Sequence, residues 1–278
     1  MAPWYARLFG RDQTVIPVVR LQGSISSEQR PGRINIATAG PLLRRAFRTP
    51  RAPAVAIIVN SPGGSAVQSR LVAKYIRDLA DEHRKKVLVF AEDLAASGGY
   101  FIATAGDEII ADPSSIVGSI GVIMASFGFV EAIQRLGVER RLYTAGKSKS
   151  TLDPFLPEEQ DDVNRIRQLE LDIHETFIDW VKSRRGAKLA ADKDLFTGEF
   201  WTAKRALDLG LVDSLGDLHA TLRERYGKNV RLKPIAPKRG LIAMPRLPFL
   251  GIGDEPADLA GSVIAAIEDR LAWSRFGL

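Results

Sequence analysis

The chain has 278 residues, of which 45% are hydrophobic and 26% charged, and its formal net charge is +6 at pH 7. This length and composition fit one large domain with appendages and provide enough apolar side chains for a sizeable core. Cysteine is absent, which excludes disulfides, cysteine metal sites and a cysteine nucleophile. The basic residues are spread out, with pairs such as Arg140-Arg141 and Arg184-Arg185, and this pattern does not favour a nucleic-acid partner.

No segment of the sequence has the properties of a signal peptide or a transmembrane helix. Residues 1–10 combine aromatic side chains with Arg7, and the stretch is too short and too interrupted for a signal-peptide core. The longest uncharged run, residues 113–130, is broken by serines and glycines. We therefore expect a cytoplasmic protein, with peripheral association at the inner membrane left open for the N-terminal segment or the C-terminal helix.

The apolar periodicity predicts strands that alternate with helices from residue 14 onward. The predicted strands are 14–21, 54–59, 87–90, 108–111, 118–124 (loop, then strand) and 138–143. The predicted helices are 34–47, 65–81, 129–136 and 157–185. Ser65, followed three residues later by Gln68, predicts a capping box at the start of one helix. This alternation indicates an α/β fold with mostly parallel strands.

The C-terminal part of the sequence differs in composition from the rest. Residues 233–254 contain four prolines and predict an irregular linker. Residues 256–273 carry an apolar stripe at helical spacing and predict a last helix, suited first to core packing, then to self-association or membrane-surface contact. The predicted organisation is an N-terminal extension at 1–13, a main domain at 14–232, and a linker with a C-terminal helix at 233–278.

Ser97 is the first candidate for chemistry. It follows the apolar run 87–90, precedes Gly98 and Gly99, and leads into a helical pattern. A nucleophile at such a strand-to-helix turn has unpaired helix N–H groups nearby, where an oxyanion would form. The alternative interpretation is a helix N-cap serine before a tight packing contact.

A serine nucleophile needs a base that takes its proton. The three histidines, His83, His174 and His219, lie among polar or charged neighbours and are expected at the surface. A lysine is the remaining option, provided that its surroundings stabilise the neutral amine.

Four motifs occur in one order along the chain. They are Asn60-Ser61-Pro62-Gly63-Gly64, Ala95-Ala96-Ser97-Gly98-Gly99-Tyr100, Gly118-Ser119-Ile120-Gly121 and Gly146-Lys147-Ser148-Lys149. With these motifs and the stretch from Phe196 to Asp213, residues 15–226 resemble the signal peptide peptidase A family of serine peptidases. The resemblance implies a crotonase-like, Clp-protease-like α/β superhelix.

The resemblance also implies roles for individual residues. The serine of the Ala-Ser-Gly-Gly motif is the family's nucleophile, which corresponds to Ser97. The serine of the Gly-Ser-Ile-Gly motif hydrogen-bonds the lysine base, which corresponds to Ser119. The family's oxyanion hole consists of backbone N–H groups from the Pro-Gly-Gly loop, here Gly63 or Gly64, and from the residue after the nucleophile, Gly98.

The loop after Gly146 contains two lysines, and the resemblance implies that one is the base. In an extended segment Lys147 and Lys149 point to the same side, so periodicity cannot separate them. The family's base stands three residues after the glycine, at Lys149. The sequence after Lys149 is also less charged, and we expect Lys147 to contact substrate or solvent.

The function implied is an ATP-independent serine endopeptidase with a Ser-Lys dyad and an acyl-enzyme intermediate. Its expected substrates are peptides such as signal-peptide remnants, or unfolded segments, and no cofactor or metal is expected. The chain resembles the single-repeat type, whose protomers assemble to complete the cleft, so a homo-oligomer is expected. The alternatives are a crotonase-type acyl-CoA enzyme, for which only the carboxylates Glu92 and Asp93 lie near the serine in sequence, and an inactive scaffold protein.

Overall fold

A computed structural model describes the chain at residues 13–30, 32–146, 148–191, 193–237, 267 and 269–278. The strands are β1 (Val15–Gln22), β2 (Ser24–Ile25), β3 (Arg33–Ile34), β4 (Ala54–Ser61), β5 (Lys86–Ala96), β6 (Glu108–Ala111), β7 (Ile116–Gly118), β8 (Phe200–Thr202), β9 (Ser214–Leu215) and β10 (Arg231–Pro234). The helices are α1 (Ile36–Phe47), α2 (Ala66–His83), α3 (Gly98–Ala103), α4 (Val130–Arg135), α5 (Gln160–Arg185), α6 (Ala203–Asp208) and α7 (Leu218–Tyr226).

Eight of these strands form one mainly parallel sheet in the order β10-β1-β4-β5-β6-β9. The end of β5 also pairs with β7, and β7 pairs antiparallel with β8. The short strands β2 and β3 form a separate parallel pair. The predicted α/β fold with mostly parallel strands is therefore confirmed.

The core lies on both faces of the sheet, which explains why β4 is buried at all eight positions. On one face Val55, Ile57 and Val59 of β4 belong to the cluster that includes buried residues of α1, α2 and α3. On the other face Ala56 and Ile58 pack in the cluster that contains Leu222 of α7. Because successive strand residues point to opposite faces, a continuous apolar run supplies both clusters.

The predicted capping box of α2 forms only in part. The Ser65 side chain accepts a hydrogen bond from the Gln68 N–H at 3.4 Å, as predicted. The Gln68 side chain, however, accepts from the N–H of Ile36 at 3.1 Å and does not bind back to Ser65. The glutamine thus joins the start of α2 to the start of α1.

Two predicted strands, 118–124 and 138–143, are wrong. The strand β7 ends at Gly118, and residues 119–129 and 138–144 have no regular structure. We call residues 121–159, apart from Lys147, the exposed segment, because most of its side chains are open to solvent, among them Ile123, Phe127 and Tyr143. A strand needs a neighbouring strand to pair with, and no strand of the described chain pairs with residues 119–124 or 138–143.

The C-terminal residues return to the sheet beside β5. Phe276 is buried against Leu94 and Ala96, and its ring meets that of Phe200 edge-on at 5.0 Å. Residues 267 and 269–274 are helical, which agrees with the end of the predicted last helix. Its beginning at 256–266, most of the predicted linker and residues 1–12 lie outside the described residues. Among the helices that are described, none has both the length and the apolar character needed to cross a bilayer.

Candidate active site

Ser97 stands where β5 ends and α3 begins. Its backbone has a φ of +51°, which is rare for a residue other than glycine, and its N–H donates to the Gly118 carbonyl at 2.8 Å. Ser97 occupies the N-cap position of α3, as the alternative interpretation expects, but its side chain makes no capping hydrogen bond. The half-buried hydroxyl is held at a strained turn, an arrangement common at functional sites.

The loop after β4 lies directly against Ser97. A Cβ atom added to Gly63 would be 2.7 Å from the Ser97 Cβ and 2.8 Å from the Gly98 nitrogen. A Cβ atom added to Gly98 would be 3.4 Å from the Gly64 nitrogen. The structure therefore brings together the nucleophile candidate and all three glycines singled out from the sequence. Only residues without a side chain permit so close an approach.

Two backbone N–H groups are free at this junction. Neither the Gly64 nor the Gly98 N–H donates a hydrogen bond to a described residue. The Gly98 N–H belongs to the first turn of α3, where helix N–H groups have no partner within the helix. Two such donors beside a serine hydroxyl can stabilise a tetrahedral oxyanion.

Ile25 holds the glycine loop from the opposite side. Its N–H donates to the Gly63 carbonyl at 2.8 Å, and its carbonyl accepts from the Ser65 N–H at 2.8 Å. Sequence reasoning missed Ile25. Its contribution is made by backbone atoms, for which the side chain gives no signal.

Ser119 is the first residue after β7, and β7 is the strand that pairs with the end of β5. The register pairs Ala96 with Gly118, so Ser97 and Ser119 follow adjacent strand ends. Ser119 has a φ of +55°, and its N–H donates to the Glu199 carbonyl at 2.6 Å. The structure thus places Ser119 beside the nucleophile candidate in the sheet.

Lys149 is not joined to this group within the described chain. Its side chain is exposed and makes no hydrogen bond or ion pair with a described residue. Its N–H donates to the Gly146 carbonyl at 3.3 Å, a contact that only shapes the turn. Lys147 lies outside the described residues. Within the described residues, Lys149 therefore lies in the exposed segment and does not complete the site.

The histidines make no described contact with Ser97. His219 is exposed, as expected. The other two are partly buried, contrary to the expectation, because His83 stacks on Phe47 and a ring nitrogen of His174 lies 3.1 Å from the Ile120 carbonyl.

The sequence was compared with models of known protein families, and two of them match. Residues 80–231 match the family model described as Peptidase family S49. The chain belongs to peptidase family S49. Residues 9–140 also match the model of a ClpP-like SDH-type serine proteinase. The predicted family and the serine-peptidase class are thus confirmed for this S49 chain.

The S49 chain is similar to several known proteins. It is 54% identical over 282 residues to the Na⁺/H⁺ antiporter NhaA of Brucella abortus, covering 98% of this chain and 38% of that protein. It is 31% identical over 264 residues to the chloroplastic serine protease SPPA of Arabidopsis thaliana, covering 92% of this chain and 38% of that protein. With Protease 4 of Haemophilus influenzae it shares 33% identity over 217 residues, covering 75% of this chain and 34% of that protein. The chain therefore spans little more than a third of the length of these relatives.

A solved structure has the same fold. A mutant of the 1510-N membrane-bound stomatin-specific protease superposes with a TM-score of 0.51 at 18% identity, covering 81% of the S49 chain and 99% of that protein. This likeness confirms the predicted ClpP-like and crotonase-like architecture.

Proposed function

We propose that this S49 chain is a serine endopeptidase in which Ser97 attacks the peptide carbonyl. The observation that carries the proposal is the pair of free N–H groups, Gly64 and Gly98, beside the Ser97 hydroxyl. When the serine oxygen adds to the carbonyl carbon, the carbonyl oxygen becomes an anion that both groups stabilise. Collapse expels the amine and leaves an acyl-enzyme, which water then hydrolyses.

The proton of the Ser97 hydroxyl needs an acceptor, and we assign that role to Lys149. As a neutral amine it takes the proton during attack and gives it to the leaving amine. Ser119, at the neighbouring strand end, is suited to orient the amine by a hydrogen bond. Because Lys149 has no contact with Ser97 inside one chain, we propose that a second copy supplies it.

The exposed segment supports this assembly. It carries many apolar side chains at high exposure, including Phe127 at 78% and Tyr143 at 90%. A patch of this kind is unusual on a monomer and is typical of a contact surface. A homo-oligomer of closed symmetry would bury these side chains and bring the lysine loop of one protomer to the serine of another.

The antiporter relative raises the question of ion transport. Its aligned stretch is 98% of this chain, and the same stretch carries the S49 match and the Ser97 junction. We therefore propose a peptidase and no ion-carrying role for these residues. The link to an antiporter supports a peripheral location at the inner membrane, where signal-peptide remnants and unfolded segments are the proposed substrates.

An acyl-CoA enzyme of crotonase type is the less favoured alternative. Its chemistry would need a free carboxylate at the site. Glu92 accepts hydrogen bonds from both terminal nitrogens of Arg20, one of them at 2.6 Å, and Asp93 accepts from the Asn60 side chain at 2.7 Å. Both carboxylates near the serine in sequence are therefore already engaged.

The test is labelling with a fluorophosphonate probe that reacts with activated serines. We expect one adduct, mapped to Ser97, together with cleavage of an unfolded protein substrate. Ser97→Ala should lose both signals with its stability nearly unchanged, because the hydroxyl makes no capping bond. Ser183→Ala, on the exposed side of α5, is the matched control and should retain them. Unchanged turnover by Ser97→Ala would refute the nucleophile, and turnover of an acyl-CoA without peptide cleavage would favour the alternative.

A further inference from the structure

Ser61 is a buried hydroxyl that the proposed chemistry does not use. It is the last residue of β4, is fully buried, and lies two residues before Gly63 in the first motif. Its Oγ accepts a hydrogen bond from the Gly63 N–H at 3.2 Å. A serine side chain that binds the N–H two residues later fixes the backbone of a turn.

The bond from Gly63 to Ser61 decides which glycine can face a substrate. The Gly63 N–H is occupied by Ser61, and the Gly63 carbonyl is occupied by the N–H of Ile25. Gly63 is also buried, whereas Gly64 is exposed. Of the two candidates from the sequence, Gly64 is therefore the one whose N–H is available.

The direction of the Gly64 N–H follows from the bridge to Ile25. Gly64 and Ile25 form a parallel bridge, in which the Gly63 carbonyl and the Ser65 N–H make the two bonds to Ile25. In such a bridge the central residue's own N–H points away from the partner strand. It therefore points away from Ile25, and the Gly64 nitrogen lies 3.4 Å from the position that a Cβ atom on Gly98 would take.

Ser61 also contacts the other half of the junction. A Cβ atom added to Gly99 would be 2.6 Å from the Ser61 carbonyl oxygen and 3.2 Å from its Cβ. Ser61 thus contacts the first turn of α3, whose Gly98 N–H is the second free donor. Ser61 therefore fixes the loop that carries the Gly64 N–H and packs against α3, which carries the Gly98 N–H.

We propose that Ser61 is a positioning residue for the oxyanion hole of this S49 chain. Its hydroxyl holds the Gly63 peptide so that the Gly64 N–H and the Gly98 N–H converge on one oxygen position. The inference rests on the proposed peptidase function and adds to it a residue that touches neither substrate nor nucleophile. The bond matters most when negative charge develops, so its loss lowers kcat and leaves KM nearly unchanged.

The experiment compares Ser61→Ala with Ser115→Ala on a peptide substrate. Ser115 is a buried serine of similar exposure whose hydroxyl donates to the Ala91 carbonyl at 3.2 Å, away from the glycine loop. Loss of a whole donor costs about a hundredfold to a thousandfold in kcat, so we expect Ser61→Ala to lose about tenfold to a hundredfold. Ser115→Ala should keep the wild-type kcat, with both variants assayed well below their unfolding temperatures.

Two further measurements separate positioning from general weakening. A peptide aldehyde forms a tetrahedral adduct with an active-site serine, and its inhibition constant should rise in Ser61→Ala by the factor by which kcat/KM falls. Ser61→Thr keeps the hydroxyl and should recover most of the kcat.

The outcomes are distinguishable. A kcat for Ser61→Ala equal to that of Ser115→Ala, an effect confined to KM, or a Ser61→Thr variant as slow as Ser61→Ala would each overturn the positioning role while the peptidase proposal stands. Full activity of Ser97→Ala would overturn the peptidase proposal itself, and the role of Ser61 with it.

Discussion

At the scale of single residues, the backbone conformation and the close packing of the junction determine which residue types fit at the site. Ser97 has a positive φ because the chain reverses from β5 into α3 while its N–H bonds to Gly118. Gly63 and Gly98 are glycines because any Cβ would collide with a neighbour at the junction. The hydroxyl of Ser97 and the free N–H groups are therefore positioned before any substrate binds, so little reorganisation is needed during the reaction.

At the same scale, the roles of the two lysines that follow Gly146 in the sequence can be distinguished by mutation. Lys149→Ala should lower kcat by a factor on the order of a hundred or more, as loss of a general base does. Lys149→Arg should also be inactive, because a guanidinium stays protonated. Lys147→Ala is the matched control and should change mainly KM. An inactive Lys147→Ala beside a normal Lys149→Ala would move the base to Lys147, and activity in both would refute the Ser-Lys mechanism.

At the scale of elements, a buried ion pair ties the end of α5 to the start of β9. Arg185, 4% exposed, donates to Asp213 at 2.6 Å and twice to the Gly210 carbonyl. Asp213 also accepts from Lys188 at 2.7 Å and from the Ile109 N–H at 2.8 Å. Burial alone would raise the pKa of Asp213, but the hydrogen bonds from Arg185 and Lys188 outweigh it and hold the pKa below its ordinary value.

Asp213→Asn should destabilise the fold strongly, because it leaves the Arg185 charge buried without a counter-charge. We expect a loss of about 3 kcal/mol, or roughly 8 °C in Tm, by thermal unfolding at neutral pH. The folded-state pKa of Asp213 is below the unfolded one, so its contribution is complete above about pH 4 and is lost as the pH falls through the folded value.

The difference in Tm between wild type and Asp213→Asn should therefore shrink on acidification below about pH 4. Asp208→Asn, an exposed carboxylate on α6, is the control and should change stability by less than about 0.5 kcal/mol. A difference in Tm that stays constant down to pH 2 would show that the charge of Asp213 contributes nothing to stability.

At the scale of the whole molecule, the described chain shows no contact between the proposed base Lys149 and Ser97, and the apolar side chains of the exposed segment are open to solvent. Light scattering should give a mass that is a multiple of the single chain. Phe127→Asp should reduce both the mass and the activity, because it puts a charge into the proposed contact. Leu207→Asp, at an exposed apolar position on α6, should change neither. A fully active monomer would contradict the assembly.

Mixing two inactive variants tests the same assembly directly. If the lysine comes from a neighbouring copy, Ser97→Ala and Lys149→Ala should restore part of the activity together, because some mixed pairs combine an intact serine with an intact lysine. Refolding or subunit exchange of the mixture, followed by a peptidase assay, measures this. No recovery, in a sample shown to contain mixed oligomers, would place the lysine in the same chain as its serine.

The sequence by itself determined the alternation of strands and helices and the candidate nucleophile Ser97, while the roles of the glycine loop came from the resemblance of its motifs to a known family. The alternation and the position of Ser97 depend on local properties, namely side-chain alternation, helix caps and glycine at tight turns, which a short stretch of sequence encodes. The strand 108–111 and the Ser65 cap are examples whose structures agree with that local encoding.

Only the tertiary structure decided what these residues contact. The choice of Gly64 over Gly63 as the available donor depends on Ile25 and Ser61, which the parallel register brings to the loop. The failure of residues 138–143 to form a strand also depends on neighbours, because a strand is stable only when its backbone groups find partners. Pairing between distant segments is a property of the assembled sheet, and no local pattern in the sequence encodes it.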